Sequence, residues 1–305
     1  MALTVHTEFV HAAVLSEEVV RLLAGCRRVV DGTVGAGGHS RLLLDAGAEV
    51  LAVDQDPAAV RAARAALGQR STVLEAEFGA AARGSAVAAF EPDGVLLDLG
   101  VSSPQLDDAS RGFTFRPGAP LDMRMSGEGG SAADWLNGEP EGALARAFAD
   151  FGDEPRARAL ARAVVRRRAR RSFATSDDLV GAIRAVLGPR SGPPDFARLF
   201  QAVRIAVNDE VTRLAGAIES FREVLAPGGT LVVIAYHSGE DRVVKHAFRE
   251  WARACVCPQE QPVCSCRGRA LGEVVTRRAV RPGEAEIAAN PRARSARLRA
   301  FRKAR

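Results

Sequence analysis

Apolar and polar positions change period at short intervals along the first third of this chain. RRVVDGTV (27–34), EVLAVDQD (49–56), STVLEAEF (71–78) and GVLLDLG (94–100) are short apolar or β-branched runs that predict strands. LSEEVVRLL, HSRLLLDAG and PAAVRAARAAL, lying before and between them, carry their apolar residues at helical spacing. That alternation predicts an α/β fold, a parallel sheet joined by right-handed crossovers. The next strand pattern comes only at GGTLVVIAYHS (228–238), introduced by the helical EVTRLAGAIESFREVL and a Pro-Gly-Gly stop. Between them, ADWL, GALARAFADFG, RARALARAVVRRRARR and SDDLVGAIRAVLG repeat the helical period with little β character. The economical reading is an all-helical domain (107–211) inserted into a sheet domain (1–106 and 212–305). LGEVVTRR and the alternating SARLRAF predict a closing pair of strands.

Composition changes this picture little. At 305 residues, 47% hydrophobic and 26% charged, the chain has an ordinary globular mixture and can bury a large core. The formal net charge of +5 is consistent with a polyanionic partner. Only Lys245 and Lys303 among the 42 basic residues are lysines, so part of the arginine excess reflects coding bias. No basic region leads into an apolar stretch at the N-terminus, and no run of 18 apolar residues occurs, so a soluble, cytoplasmic protein without a membrane segment is expected.

Candidate chemistry begins where the first strand ends. In DGTVGAGG, Asp31 to Gly38, glycines permit a tight turn and let a ligand approach backbone N–H groups at a helix N-terminus. Gly35, Gly37 and Gly38 form G-x-G-G rather than the dinucleotide fingerprint G-x-G-x-x-G. An acid as close as Asp31 would repel a diphosphate, whereas it attracts a ligand bearing a sulfonium and an amino group. Asp54, ending the second predicted strand, stands where such sheets offer a carboxylate to ribose hydroxyls. Spacing and composition stop at a Rossmann-like enzyme with methyl transfer as its best reading.

Five further stretches carry more. LLDLGVSSPQLDDASRGFTF, LDMRM, FQAVRIAVNDE, AYHSGEDRVVK and NPRARSARLRA, in this order, resemble the RsmH (MraW) family, and the resemblance runs from about His11 to Arg299. The resemblance implies a class I S-adenosylmethionine-dependent methyltransferase acting on N4 of a cytosine in 16S ribosomal RNA, in the decoding region of the small subunit. It implies that Gly37, Gly38, His39, Asp54, Phe78, Asp98 and Gln105 bind S-adenosylmethionine. Phe78 reads either as a surface for adenine or as core, and His39 either as a ligand contact or as a solvent-facing residue at a helix start.

The reaction is an in-line displacement by a weakly nucleophilic amino nitrogen, which needs positioning and an acceptor for its hydrogens rather than a covalent cysteine. Asp98, Asn208 and His237 are the candidates, each also readable as an orienting group. Eight arginines between Arg156 and Arg171, and the basic stretch from Arg292 to Arg305, suggest phosphate contacts with ribosomal RNA or the small subunit, or else a solvated helix face. Cys255, Cys257, Cys264 and Cys266 form two C-x-C pairs that either hold zinc or belong to a reduced, Pro-bearing loop; no metal is assigned to the reaction. A nicotinamide-dependent oxidoreductase and a non-catalytic RNA-binding assembly protein are the competing functions. The oligomeric state is left open.

Overall fold

A computed structural model describes residues 13–258, 261, 263 and 265–305; His11 and Cys264 lie outside them. The chain divides into two compact units, one made of the residues up to Gly100 with Ala217–Arg305, the other of Val101–Gly216. The helix Glu210–Val224 straddles the second division.

The first unit holds a seven-stranded sheet: β1 (Arg28–Asp31), β2 (Glu49–Asp54), β3 (Ser71–Glu75), β4 (Gly94–Asp98), β5 (Thr230–Ala235), β6 (Gly272–Val274) and β7 (Arg297–Lys303). Their order is β3-β2-β1-β4-β5-β7-β6. β1 to β5 are parallel, with Val30 opposite both Leu51 and Val95 and Leu97 opposite Val233. All six residues of β5 are buried, as expected of a strand covered on both faces. The two C-terminal strands do pair, but β7 also runs antiparallel to β5, placing Leu298 opposite Ile234.

The helix Pro57–Leu67 shows how local sequence sets these elements. Asp56 caps it by accepting the Ala58 amide at 2.9 Å, Pro57 opens it, and Val60, Ala63 and Leu67 turn one apolar face inward. All strands predicted up to residue 100 appear, each ending two or three residues before the C-terminal end of its predicted run.

The second unit is helical, with principal helices Ala132–Gly138, Glu141–Asp150, Ala157–Arg168, Ser176–Leu187 and Pro193–Asn208. Leu136, Phe148, Leu160, Ile183 and Leu199 are each buried in one apolar cluster. Independent cores are the reason both units are compact by themselves.

Candidate active site

The carboxyl ends of β1, β4 and β5 deliver the chemistry of the first unit to one edge of the sheet, where open α/β folds bind ligands. The turn after β1 needs bare backbone for steric reasons. A Cβ on Gly32 would stand 2.5 Å from Leu97 Cδ2, and Gly37 has φ +86° as it enters the helix Gly38–Asp45. Asp54 anchors this turn from β2. Its two carboxylate oxygens accept the Gly35 and Asp56 amides, each at 2.9 Å. Burial raises the Asp54 pKa against those two bonds, which favour the charged form.

Asp31 does not face outward as the sequence suggested. It is 1% exposed and turns inward, accepting the Ser40 hydroxyl at 2.6 Å and the Thr33 amide at 3.2 Å. Burial also raises its pKa. Its work is to tie the turn to the following helix.

Asp98, at the end of β4, is the centre of the arrangement. Its amide donates to Thr33 Oγ1 at 2.6 Å, and one carboxylate oxygen accepts the Tyr236 hydroxyl at 2.9 Å. The other oxygen lies 3.4 Å from Nε2 of His39, which is 7% exposed. That approach is a charge contact rather than an aligned hydrogen bond, for neither ring nitrogen of His39 has a hydrogen-bond partner among the described residues. Burial disfavours the His39 imidazolium, but Asp98, then Asp31 and Glu286, outweigh it and raise its pKa. Burial and the Asp98 charge push the Tyr236 phenol far above its usual range, so it stays a hydrogen-bond donor.

His237 follows Tyr236 and caps the helix Ser238–Trp251: its Nδ1 accepts the Glu240 amide at 3.3 Å, leaving its proton for Nε2. Glu240, 2% exposed, returns an oxygen to the Tyr236 amide at 2.8 Å. Phe78 opens the helix Phe78–Ala82 and is half-buried, close enough to Gly32 that a Cβ there would meet it at 3.5 Å.

The remaining two candidates belong to the second unit. Gln105 is buried, and its Oε1 accepts the Ser102 amide at 2.9 Å in a capping box. Asn208 ends its helix with the side chain folded onto the LDMRM segment: Oδ1 accepts the Met125 amide at 2.9 Å, while Nδ2 donates to the Met123 and Arg204 carbonyls at 2.8 and 2.9 Å. Both Nδ2 hydrogens are used by these bonds, so a base edge could take a hydrogen bond from Asn208 only by exchange, while Oδ1 keeps a second lone pair.

Comparison with known proteins identifies the family. Residues 8–304 match the model of the MraW methylase family. The chain belongs to the MraW methylase family. A relative from Gemmatimonas aurantiaca, named ribosomal RNA small subunit methyltransferase H, is 54% identical, with 96% of this chain and 95% of that one covered. A second protein of that name, from Anaeromyxobacter sp., is 47% identical over 98% of this chain and 99% of its own. Among solved structures, an rRNA methylase from Streptococcus thermophilus aligns over 95% of this chain and 94% of its own at 11% identity, with a TM-score of 0.41. In this MraW methylase the residues that sequence reasoning passed over are Tyr236, Glu240 and Thr33. Tyr236 is the only tyrosine of the chain and stands beside His237 in a motif already singled out, a signal that was available.

Proposed function

We propose that this chain transfers the methyl group of S-adenosylmethionine to the exocyclic N4 of a cytosine in 16S ribosomal RNA, in the cytoplasm. The observation that carries the proposal is the Asp98 carboxylate, 22% exposed and held between the Tyr236 hydroxyl and His39 at the carboxyl edge of the sheet. The turn fits the cofactor, since His39 leaves two buried ring nitrogens unpartnered beside a glycine-built helix start, where backbone N–H groups favour an anion.

When bound, the cofactor supplies an electrophilic methyl group on a cationic sulfur. Gly37, Gly38 and His39 would hold its carboxylate end, Asp54 its ribose and Phe78 its adenine. Asp98 accepts hydrogen bonds from the amino hydrogens of the target base, keeping electron density on the nitrogen as the bond forms. Tyr236, unable to ionise beside Asp98, keeps that carboxylate an acceptor. His237 and Asn208 position the segments around them. The helical unit would grip the RNA, whose target base must leave its stack.

The test is methyl transfer from labelled S-adenosylmethionine to 16S ribosomal RNA and to small subunits, followed by nucleoside analysis. N4-methylated cytidine is expected. Label on a ring carbon or on another base, with Asp98→Asn as active as the parent, would refute the reading.

A further inference from the structure

Between Trp251 and Leu271 the described residues lie outside the sheet and helices. The segment closes on itself, the Leu271 amide donating to the Trp251 carbonyl at 2.8 Å, yet none of its described residues from 252 to 270 is buried. A long loop with no secondary structure and no core of its own is uncommon in a compact domain and needs another means of holding its shape. Arg267 supplies part of it, donating to a Glu250 carboxylate oxygen at 2.7 Å and to the Arg253 and Arg269 carbonyls.

The rest lies with the thiols. Cys255, Cys257 and Cys266 bring their sulfur atoms within 4.8 Å of one another, and the Cys255 and Cys266 sulfurs are 3.9 Å apart. That is far beyond a disulfide bond of about 2.0 Å. It is the spacing of sulfurs sharing one tetrahedral zinc, since Zn–S bonds of about 2.3 Å set ligand sulfurs roughly 3.8 Å apart. The amide of Val256, between two of the cysteines, donates to the Cys266 sulfur at 3.4 Å and so ties the two ends of the cluster together.

We propose that Cys255, Cys257 and Cys266 bind a zinc ion as three thiolate ligands, with the fourth position of the tetrahedron left to solvent, and that the ion ties residues 255–257 to residue 266. Cys264 lies outside the described residues and is given no part in the site. The ion does no chemistry on the methyl group; it replaces the core that the loop lacks.

The test uses the full chain, reduced and supplied with zinc, then freed of excess metal. One zinc per chain is expected, lost to background in the Cys255→Ser/Cys257→Ser/Cys266→Ser variant. Cobalt in place of zinc should give thiolate charge-transfer absorption and the visible bands of a tetrahedral ion, both absent from the variant. Circular dichroism and S-adenosylmethionine binding monitor the fold of the variant. In the unsubstituted chain, zinc should protect the three thiols from alkylation, with EDTA reversing the protection. Cys26 should be indifferent to zinc, since burial raises its pKa to about 11 and its sulfur donates to the Asp93 carbonyl. A reduced chain that takes up neither metal, a triple variant that binds as the parent does, or alkylation unaffected by zinc would each overturn the site.

Discussion

Asp54 anchors the turn and, in the proposed complex, would also hold the ribose, and substitution can tell the two contributions apart. Its oxygens each accept one backbone amide, from Gly35 and from Asp56, and both keep further acceptor capacity for ribose hydroxyls. In Asp54→Asn the side chain has one oxygen, so whichever way it turns, one of those amides faces an NH2 group. A hydrogen bond to a charged partner contributes about 1.5–3 kcal/mol, so the loss of one should lower stability by that order, a few degrees in melting temperature for a chain of this size. Loss of a ribose hydrogen bond of the same strength weakens S-adenosylmethionine by roughly tenfold to 150-fold. Affinity alone cannot separate the two, because a loosened Gly35 turn also binds less well. The deciding comparison is calorimetry with S-adenosylhomocysteine and its 2′-deoxy analogue on parent and variant. The parent should prefer the hydroxyl-bearing ligand, and Asp54→Asn should lose most of that preference. An undiminished preference in the variant would show that Asp54 only anchors the turn.

Other interactions give sharper readouts of their own. His39, with its pKa raised by Asp98 despite burial, should titrate by NMR above about 6.5, and Asp98→Asn should lower the value; an unchanged titration refutes the pairing. By linkage, its contribution to stability is full below about 6.5 and is lost as pH rises through the raised folded value, so His39→Gln should cost stability on the acid side and little well above it. Asn208→Ala removes three local hydrogen bonds at about 1 kcal/mol each and should speed hydrogen exchange at the Met125 amide. Normal exchange there with lost methyl transfer would return Asn208 to the base. Arg166→Gln/Arg170→Gln/Arg171→Gln should leave folding intact and flatten the salt dependence of RNA affinity by up to about 0.7 for each phosphate no longer neutralised; an unchanged slope moves the RNA elsewhere.

The choice of those three arginines shows what the sequence could carry and what it could not. Composition presented Arg156 to Arg171 as one basic run, but the fold divides it. Arg168 donates to the Leu136 and Glu139 carbonyls at 2.9 and 2.8 Å, and Arg167 pairs with Asp178 at 2.9 Å. Burial opposes ionisation of Asp178, yet Arg167 and the Thr175 and Ala174 amides hold its pKa at about 2. Arg166, Arg170 and Arg171 are exposed. Which guanidinium meets a carbonyl depends on the neighbouring helix, information absent from any local window. β1 to β5 were legible for the opposite reason: their apolar runs and flanking turns are local. The place of β7 between β5 and β6 was not, since an antiparallel register is chosen across the chain.

The same distinction explains the site. The family resemblance singled out Asp98, but what surrounds it came from elsewhere in the chain: Thr33 and His39 after β1 and Tyr236 after β5. The combination makes chemical sense only together. In the proposed reaction the Tyr236 phenol, its pKa pushed far up by burial and the Asp98 charge, would keep one Asp98 oxygen bonded without competing for the proton that the reaction liberates. A histidine whose positive form is favoured by that same carboxylate reinforces the charge from the other side. One Asp98 oxygen is thereby bonded to the Tyr236 hydroxyl and the other faces the buried His39 ring at 3.4 Å, and in the proposed reaction its remaining exposed edge would meet the nitrogen being methylated.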